Sequence, residues 1–113
     1  MAYSIALQPI AHYSEVWVLI DAVLVKMREL AEEGHIQISL HASKRSSERG
    51  IPYTAIRESI AGGEFTYLRH EPGERGFVTV RIKCRHARTG AVFTVQLAVT
   101  PGLDRIFVLS VWD

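Results

Sequence analysis

Four polar side chains of one short segment, of which the first two and either of the last two are spaced as one face of a helix, are the residues of this chain best suited to move protons and bind anions. They are His41, Arg45, Glu48 and Arg49. A neutral imidazole can take the proton from a 2′-hydroxyl or return one to the leaving oxygen. Guanidinium groups neutralise the charge that builds on the phosphorane, and a carboxylate can orient an arginine or act as a base. The set therefore suits metal-independent RNA cleavage by intramolecular attack of the 2′-hydroxyl.

The same side chains also have a structural interpretation. His41 could cap backbone groups while Glu48 pairs with Arg45 on the neighbouring helical turn. A single histidine also leaves the acid–base pair incomplete, so His70 or His86 would have to carry the second proton. A catalytic set and a structural clasp both stay open from the sequence.

Two short helices must position these residues. Ser39 is a good N-cap and Gly50 a good stop, which predicts a helix from Leu40 to Arg49. A second helix is predicted from Pro52 to the glycine pair at 62–63, because proline suits a first turn. The two form a helical hairpin that bends at residues 50–52.

Residues 38–64 resemble the domain of unknown function family 4258. The resemblance rests on His41-Ala42, Arg45, Glu48-Arg49-Gly50-Ile51 and Gly62-Gly63-Glu64, with Ser46 where the family pattern usually has Met. It implies a layout like that of RelE-like and barnase-like ribonuclease toxins, with helices before an antiparallel sheet. A toxin of this type would be a bacterial or mobile-element protein whose antitoxin covers its basic face.

From Glu64 onwards the apolar period switches to two, which predicts a meander of four antiparallel strands near 65–70, 77–85, 91–99 and 106–112. Arg81, Lys83 and Arg85 alternate along the second of these and define the basic stripe, with cations about 6.5 Å apart on one face. That spacing is close to the phosphate repeat of a nucleic-acid strand. Arg88 and Tyr67, with Phe77, would extend the stripe and stack on bases. The alternative is an ordinary solvent-exposed sheet face.

A long helix is predicted before this block, from the N-cap Ser14 to Glu33, after residues 1–13, which are expected to form an extended arm or an edge strand. Its apolar surface is wider than a single stripe. We expect either a central helix of a monomer or a helix that also forms a homodimer contact.

Composition limits the remaining choices. With 113 residues, 48% of them hydrophobic, we expect one domain over 1–113, divided into an N-terminal part (1–35) and a family-like part (36–113). The formal net charge is +1, but residues 41–88 hold ten Lys/Arg and five Asp/Glu, which fits an anionic partner.

The one cysteine, Cys84, excludes an internal disulfide and is expected to be a buried, inert thiol. The histidines lack metal-ligand spacing, so we expect no metal and no cofactor. No apolar run is long enough to span a bilayer, and we expect a cytoplasmic protein.

The sequence thus predicts an α+β domain in which a long helix and a helical hairpin pack on a four-stranded antiparallel sheet. Its predicted function is RNA binding, with metal-independent endoribonuclease activity of toxin type as the enzymatic form. The alternative is a non-enzymatic module, an inhibitor or adaptor, that binds another protein and uses the His41 motif structurally.

Overall fold

The computed structural model describes the backbone of residues 9–113 and the side chains of residues 20–113. In chain order these residues form α1 (Pro9–Glu33), β1 (Ile36–Ile38), α2 (Leu40–Glu48), α3 (Tyr53–Ala61), β2 (Phe65–Pro72), a 3-10 turn (Glu74–Gly76), β3 (Val78–Arg85), β4 (Val92–Val99) and β5 (Ile106–Trp112). The α+β class is confirmed.

The described strands form one five-stranded sheet in the order β1-β5-β4-β3-β2. Strands β2 to β5 are the predicted antiparallel meander, but the prediction of four strands is wrong. Residues 36–38 add a fifth strand that runs parallel to β5, with Ile36 beside Ile106. Three residues alternating apolar and polar predict equally well a strand or an extended entry to a helix. Pairing with a strand seventy residues later decides between them.

One face of the sheet carries the hydrophobic core. Side chains that alternate along β3, among them Val80, Ile82 and Cys84, are fully buried there. The covering layer comes from α1 and α3, whose Met27 and Ile56 are also fully buried. Burying one such side chain stabilises the fold by roughly 1.5–3 kcal/mol. Within the described residues, the helical layer and the hydrophobic core thus lie on this one face of the sheet.

The long helix α1 begins at Pro9, five residues before the predicted N-cap Ser14. A proline is tolerated in the first helical turn because its missing N–H has no intrahelical partner there. The prediction of an extended arm is therefore wrong for residues 9–13, and residues 1–8 lie outside the described part. Val25 is 59% exposed on α1, while the side chains of residues 9–19 are not described. The homodimer contact stays a prediction.

Helix α2 continues the edge of the sheet where β1 ends. The backbone N–H of Ser39 donates to Val108 O at 2.9 Å, and the Ser39 hydroxyl accepts from the N–H of Ala42 at 3.0 Å. At the other end, Arg49 forms an ion pair with Asp113, which directly follows β5. The helix therefore lies along the second half of β5 and covers its outer edge.

Two side chains of α3 fasten the helical layer to its neighbours. The Tyr53 hydroxyl donates to Ile36 O at 3.1 Å, and the Arg57 guanidinium donates to Ala31 O at 3.0 Å. The Tyr53 bond gives a partner to a carbonyl of the edge strand β1, and the Arg57 bond adds a second donor to the Ala31 carbonyl, which also accepts from the N–H of Gly34 at 3.2 Å. The layer behind the sheet is thus held at a fixed position.

Candidate nucleic-acid interface

The face of the sheet opposite α1 and α3, which we call the open face, carries the basic stripe. Lys83 and Arg85 are exposed and Arg81 is half-buried, whereas the residues between them are fully buried on the other face. Within residues 20–113, Lys83 and Arg85 have no side-chain hydrogen bond or ion pair. The predicted alternation of β3 is confirmed, and two of its three cations are free to bind an anion.

The open face carries a fourth cation that the sequence did not assign to it. Arg69 of β2 lies directly opposite Arg81 of β3. Like charges at directly opposed positions destabilise a sheet, and only Arg69 is relieved, by an ion pair with the exposed carboxylate of Glu71. An anion bound across the two strands would remove this repulsion.

Arg81 is held in place from two sides. Its Nη2 donates to Gln96 Oε1 of β4 at 2.8 Å, and its guanidinium carbon lies 5.1 Å from the ring centroid of Trp112 on β5. Its Nε is buried and has no hydrogen-bond partner in the described residues. The guanidinium thus lies within cation–π distance of an indole ring, and its Nε leaves donor capacity unused.

Aromatic side chains occupy the other half of the open face. The rings of Phe77 and Phe107 lie with their centroids 6.3 Å apart at 46°. Phe107 pairs with Ala98 of β4, on the face that also carries Trp112. A groove of about 420 Å³ runs beside these rings and is lined by Gly73, Glu74, Arg75, Phe77, Thr79, Ala98, Phe107 and Leu109. The open face therefore changes from basic at β2 and β3 to aromatic near β5.

Tyr67 does not lie on the open face. It pairs with Ile82 and packs against the hydrophobic core, and its hydroxyl hydrogen-bonds to Nδ1 of His70. An irregularity in register at Leu68 shifts the alternation of β2, so that Tyr67 and Arg69 point to opposite faces. The predicted stacking of bases on Tyr67 beside the basic stripe does not fit this register.

The four residues of the α2 motif separate into two groups. Arg49 lies in line with the buried Ala42 and Ser46 and pairs with Asp113. The side chains of His41, Arg45 and Glu48 are exposed and form no hydrogen bond or ion pair within the described residues. In particular, the predicted pair between Glu48 and Arg45 is absent from this part of the chain. These three side chains are accessible to a ligand and do not clasp neighbouring elements.

The α2 motif and the basic stripe share no cavity among those we find in the described residues. The groove beside α2, of about 490 Å³, is lined by Ile38, Ser43, Ser46, Ser47, Gly50, Ile51, Pro52 and Tyr53. Helical periodicity puts Ser43 and Ser47 on one flank of α2 and His41 and Arg45 on the opposite flank. A site that used both His41 and Lys83 would therefore need a ligand long enough to reach from α2 onto the sheet.

A buried polar cluster fixes the β3–β4 hairpin to α3. His86, only 3% exposed, lies between Glu58 Oε1 at 2.8 Å from its Nε2 and Thr89 Oγ1 at 2.8 Å from its Nδ1. Arg88 donates to the same Glu58 oxygen at 2.9 Å. The hydrogen bond with His86 is the main cause that lowers the pKa of Glu58 below its ordinary value, with help from Arg88. Sequence spacing gave no signal for Glu58, because its partners lie about thirty residues further along the chain.

The described residues hold no group of three or more His, Cys, Asp or Glu side chains placed to bind a metal ion. None of their helices has the length and apolar character needed to cross a membrane. Cys84 is fully buried, and desolvation raises its pKa to about 12. The thiol therefore stays protonated and has no nucleophilic role.

Comparison with known proteins found no matching family model, no matching curated protein and no matching solved structure. The resemblance to family 4258 therefore stays a prediction. Function must be argued from the open face and the α2 motif themselves.

Proposed function

We propose that this protein binds single-stranded RNA on the open face of its sheet. The observation that carries the proposal is the strand register. It brings Arg69, Arg81, Lys83 and Arg85 onto the open face, the sheet face that α1 and α3 do not cover in the part of the chain that the structure describes. Phosphate contacts supply most of the affinity in such complexes, and the stripe offers cations at about the repeat of a nucleic-acid backbone. Trp112 and Phe107 supply flat apolar surfaces on which bases stack.

The shape of the face favours binding with little sequence preference. The cavity between Arg69, His70, Glu71, Thr79, Arg81 and Gln96 has a volume of only about 10 Å³, which is too small for a base. Bases would therefore lie on the surface, and every base has a flat ring that can stack. The Arg81 fork gives the face an additional planar group for contact with phosphate or a base edge.

Binding is tested by fluorescence anisotropy with a labelled single-stranded RNA at several salt concentrations. Phosphate contacts from Arg81, Lys83 and Arg85 predict a slope of log K against log salt near −2, because each contact on a single strand contributes about −0.7, and each further contact steepens the slope by the same amount. Lys83→Ala should weaken binding and make the slope less steep by about 0.7. Lys26→Ala, which removes a lysine from α1 on the other side of the sheet, is the matched control and should bind as wild type does. Equal affinity of the two variants would refute the proposal.

We extend the proposal to metal-independent cleavage of the bound RNA, as in an endoribonuclease of toxin type. The 2′-oxygen would attack the adjacent phosphorus and expel the 5′-oxygen of the next nucleotide, which leaves a 2′,3′-cyclic phosphate. His41 would take the proton of the 2′-hydroxyl and return it to the leaving 5′-oxygen, with Arg45 and Arg49 near the phosphate and Glu48 orienting an arginine. The exposed positions of His41 and Arg45 support this role. Because the α2 motif and the basic stripe share no cavity among those we find, the RNA must be long enough to reach from the open face to α2. An antitoxin, if one exists, would cover the basic face.

Cleavage is tested by incubating the purified protein with a mixed RNA in EDTA, beside His41→Ala and Lys44→Ala. Cleavage that survives EDTA and Lys44→Ala but is lost in His41→Ala supports the catalytic assignment. Cleavage that survives in His41→Ala removes it, and RNA binding on the open face is judged separately by anisotropy.

The second candidate function is a non-enzymatic module that binds another protein. The groove beside α2 favours it, because its lining combines Ile38, Ile51 and Tyr53 with serine hydroxyls. Leu40, at 89% exposure, is a large apolar side chain on the same helix. Absence of RNA binding at low salt, together with a protein partner lost in Leu40→Ser, would favour this function over the first.

A further inference from the structure

The basic surface continues past the stripe into the β3–β4 hairpin. Arg85 is the last residue of β3, and Arg88 follows three residues later at the same end of the sheet. The Arg88 side chain is 70% exposed, yet it turns towards the helical layer and donates to Glu58 Oε1 at 2.9 Å. A cation at the end of the stripe is thus held by a carboxylate of the protein itself.

Glu58 does not depend on Arg88 for its position. The same oxygen lies 2.8 Å from Nε2 of His86, which is buried and is held on its other nitrogen by Thr89. Releasing Arg88 would therefore leave the carboxylate with a partner and the hairpin fixed to α3. By contrast, an ion pair between exposed side chains is weak and is screened by salt.

We propose that Arg88 is paired with Glu58 in the free protein and that, when RNA binds, a phosphate beyond Arg85 replaces Glu58 as its partner. This inference rests on the proposed function. It gives the predicted residue Arg88 a part in the same site and makes Glu58 the group that regulates it. A phosphate offers the guanidinium two charge-assisted hydrogen bonds, a stronger arrangement than the single contact with Glu58. Glu58 thereby lowers affinity for weakly charged ligands and yields Arg88 to a polyanion.

Anisotropy with labelled single-stranded RNA tests the inference in the full chain. Glu58→Gln keeps an oxygen for His86 and removes the carboxylate charge that holds Arg88, so binding should tighten about two- to fivefold, the range of a weak exposed pair. Arg88→Ala should weaken binding and reduce the steepness of the salt slope by about 0.7. In the Arg88→Ala background, Glu58→Gln should have no effect. The same tightening in both backgrounds would show a general charge effect and overturn the inference.

A measurement on the wild-type protein covers the case in which Glu58→Gln fails to fold. The side-chain N–H resonance of Arg88 should move on titration with RNA. That of Arg105, in the β4–β5 turn at the opposite end of the sheet, should not move. An unmoved Arg88 resonance at saturating RNA overturns the inference. If Lys83→Ala weakens binding but Arg88→Ala does not, the inference fails and the proposed function stands. If wild-type protein does not bind RNA, both fail.

Discussion

The guanidinium of Arg81 lies over the indole ring of Trp112, 5.1 Å from its centroid. The contact crosses three strands, because Arg81 belongs to β3, Trp112 to β5, and the intervening β4 contributes Gln96, whose Oε1 accepts a hydrogen bond from Arg81. It joins the basic and aromatic halves of the open face. A base or phosphate that contacts one half is therefore within reach of the other.

This contact should appear as an energetic coupling. Cation–π pairs at partly exposed sites contribute about 0.5–1 kcal/mol, so a double-mutant cycle of Arg81→Ala and Trp112→Leu should give a coupling of that size. Urea denaturation of the four proteins measures it. The control cycle combines Trp112→Leu with Arg28→Ala on α1, and its coupling should be near zero. A coupling no larger than that of the control would show that the contact between Arg81 and Trp112 does not stabilise the fold.

The exposed α2 motif should contribute little to stability. His41→Ala is expected to change the free energy of unfolding by no more than about 0.5 kcal/mol, because no described contact is lost. Ser39→Ala should cost about 1 kcal/mol, since it removes the cap on the N–H of Ala42, and Ser39→Asp should restore most of it. Urea denaturation gives both values. A His41→Ala protein as destabilised as Ser39→Ala would contradict this prediction and favour the interpretation in which His41 is a structural residue.

Stability should fall in acid partly through Glu58. Its pKa is lowered in the folded protein, chiefly by the hydrogen bond with His86, so the unfolded chain takes up a proton at a pH where the folded chain does not. This contribution is present above the ordinary carboxyl pKa of about 4.3 and is lost as the pH falls towards the lowered value. Wild type should therefore lose more free energy of unfolding than Glu58→Gln between about pH 5 and about pH 3. Parallel loss in both proteins, with Glu32→Gln as a control, would contradict this assignment.

Cys84 should not react in the folded protein. It is fully buried and desolvation raises its pKa to about 12, so the thiolate needed for reaction is both scarce and inaccessible at neutral pH. A thiol-specific reagent should label the protein only after denaturant is added. Rapid labelling of the native protein would mean that the β3 core opens readily.

Regular local patterns could be read from the sequence, and contacts between distant residues could not. The alternation of β3 correctly placed Lys83 on the uncovered face, because side-chain direction follows from the strand period alone. Strict alternation would place Tyr67 and Arg69 on the same face. The irregularity in register at Leu68 places them on opposite faces, and the sequence pattern does not predict it. Strand β1 forms because residues 36–38 pair with β5, and Glu58 contacts the β3–β4 hairpin because α3 packs against β3. Neither contact can be predicted from the sequence around the residues that make it.

The most direct test of RNA binding on the open face is photo-cross-linking. A single-stranded RNA that contains 4-thiouridine would be bound, irradiated and digested, and the linked residues identified by mass spectrometry. We predict links at Phe107 and Trp112, with loss of linking when Lys83→Ala and Arg85→Ala are combined. Links confined to α2 or α3, and unaffected by that double variant, would contradict the proposed interface.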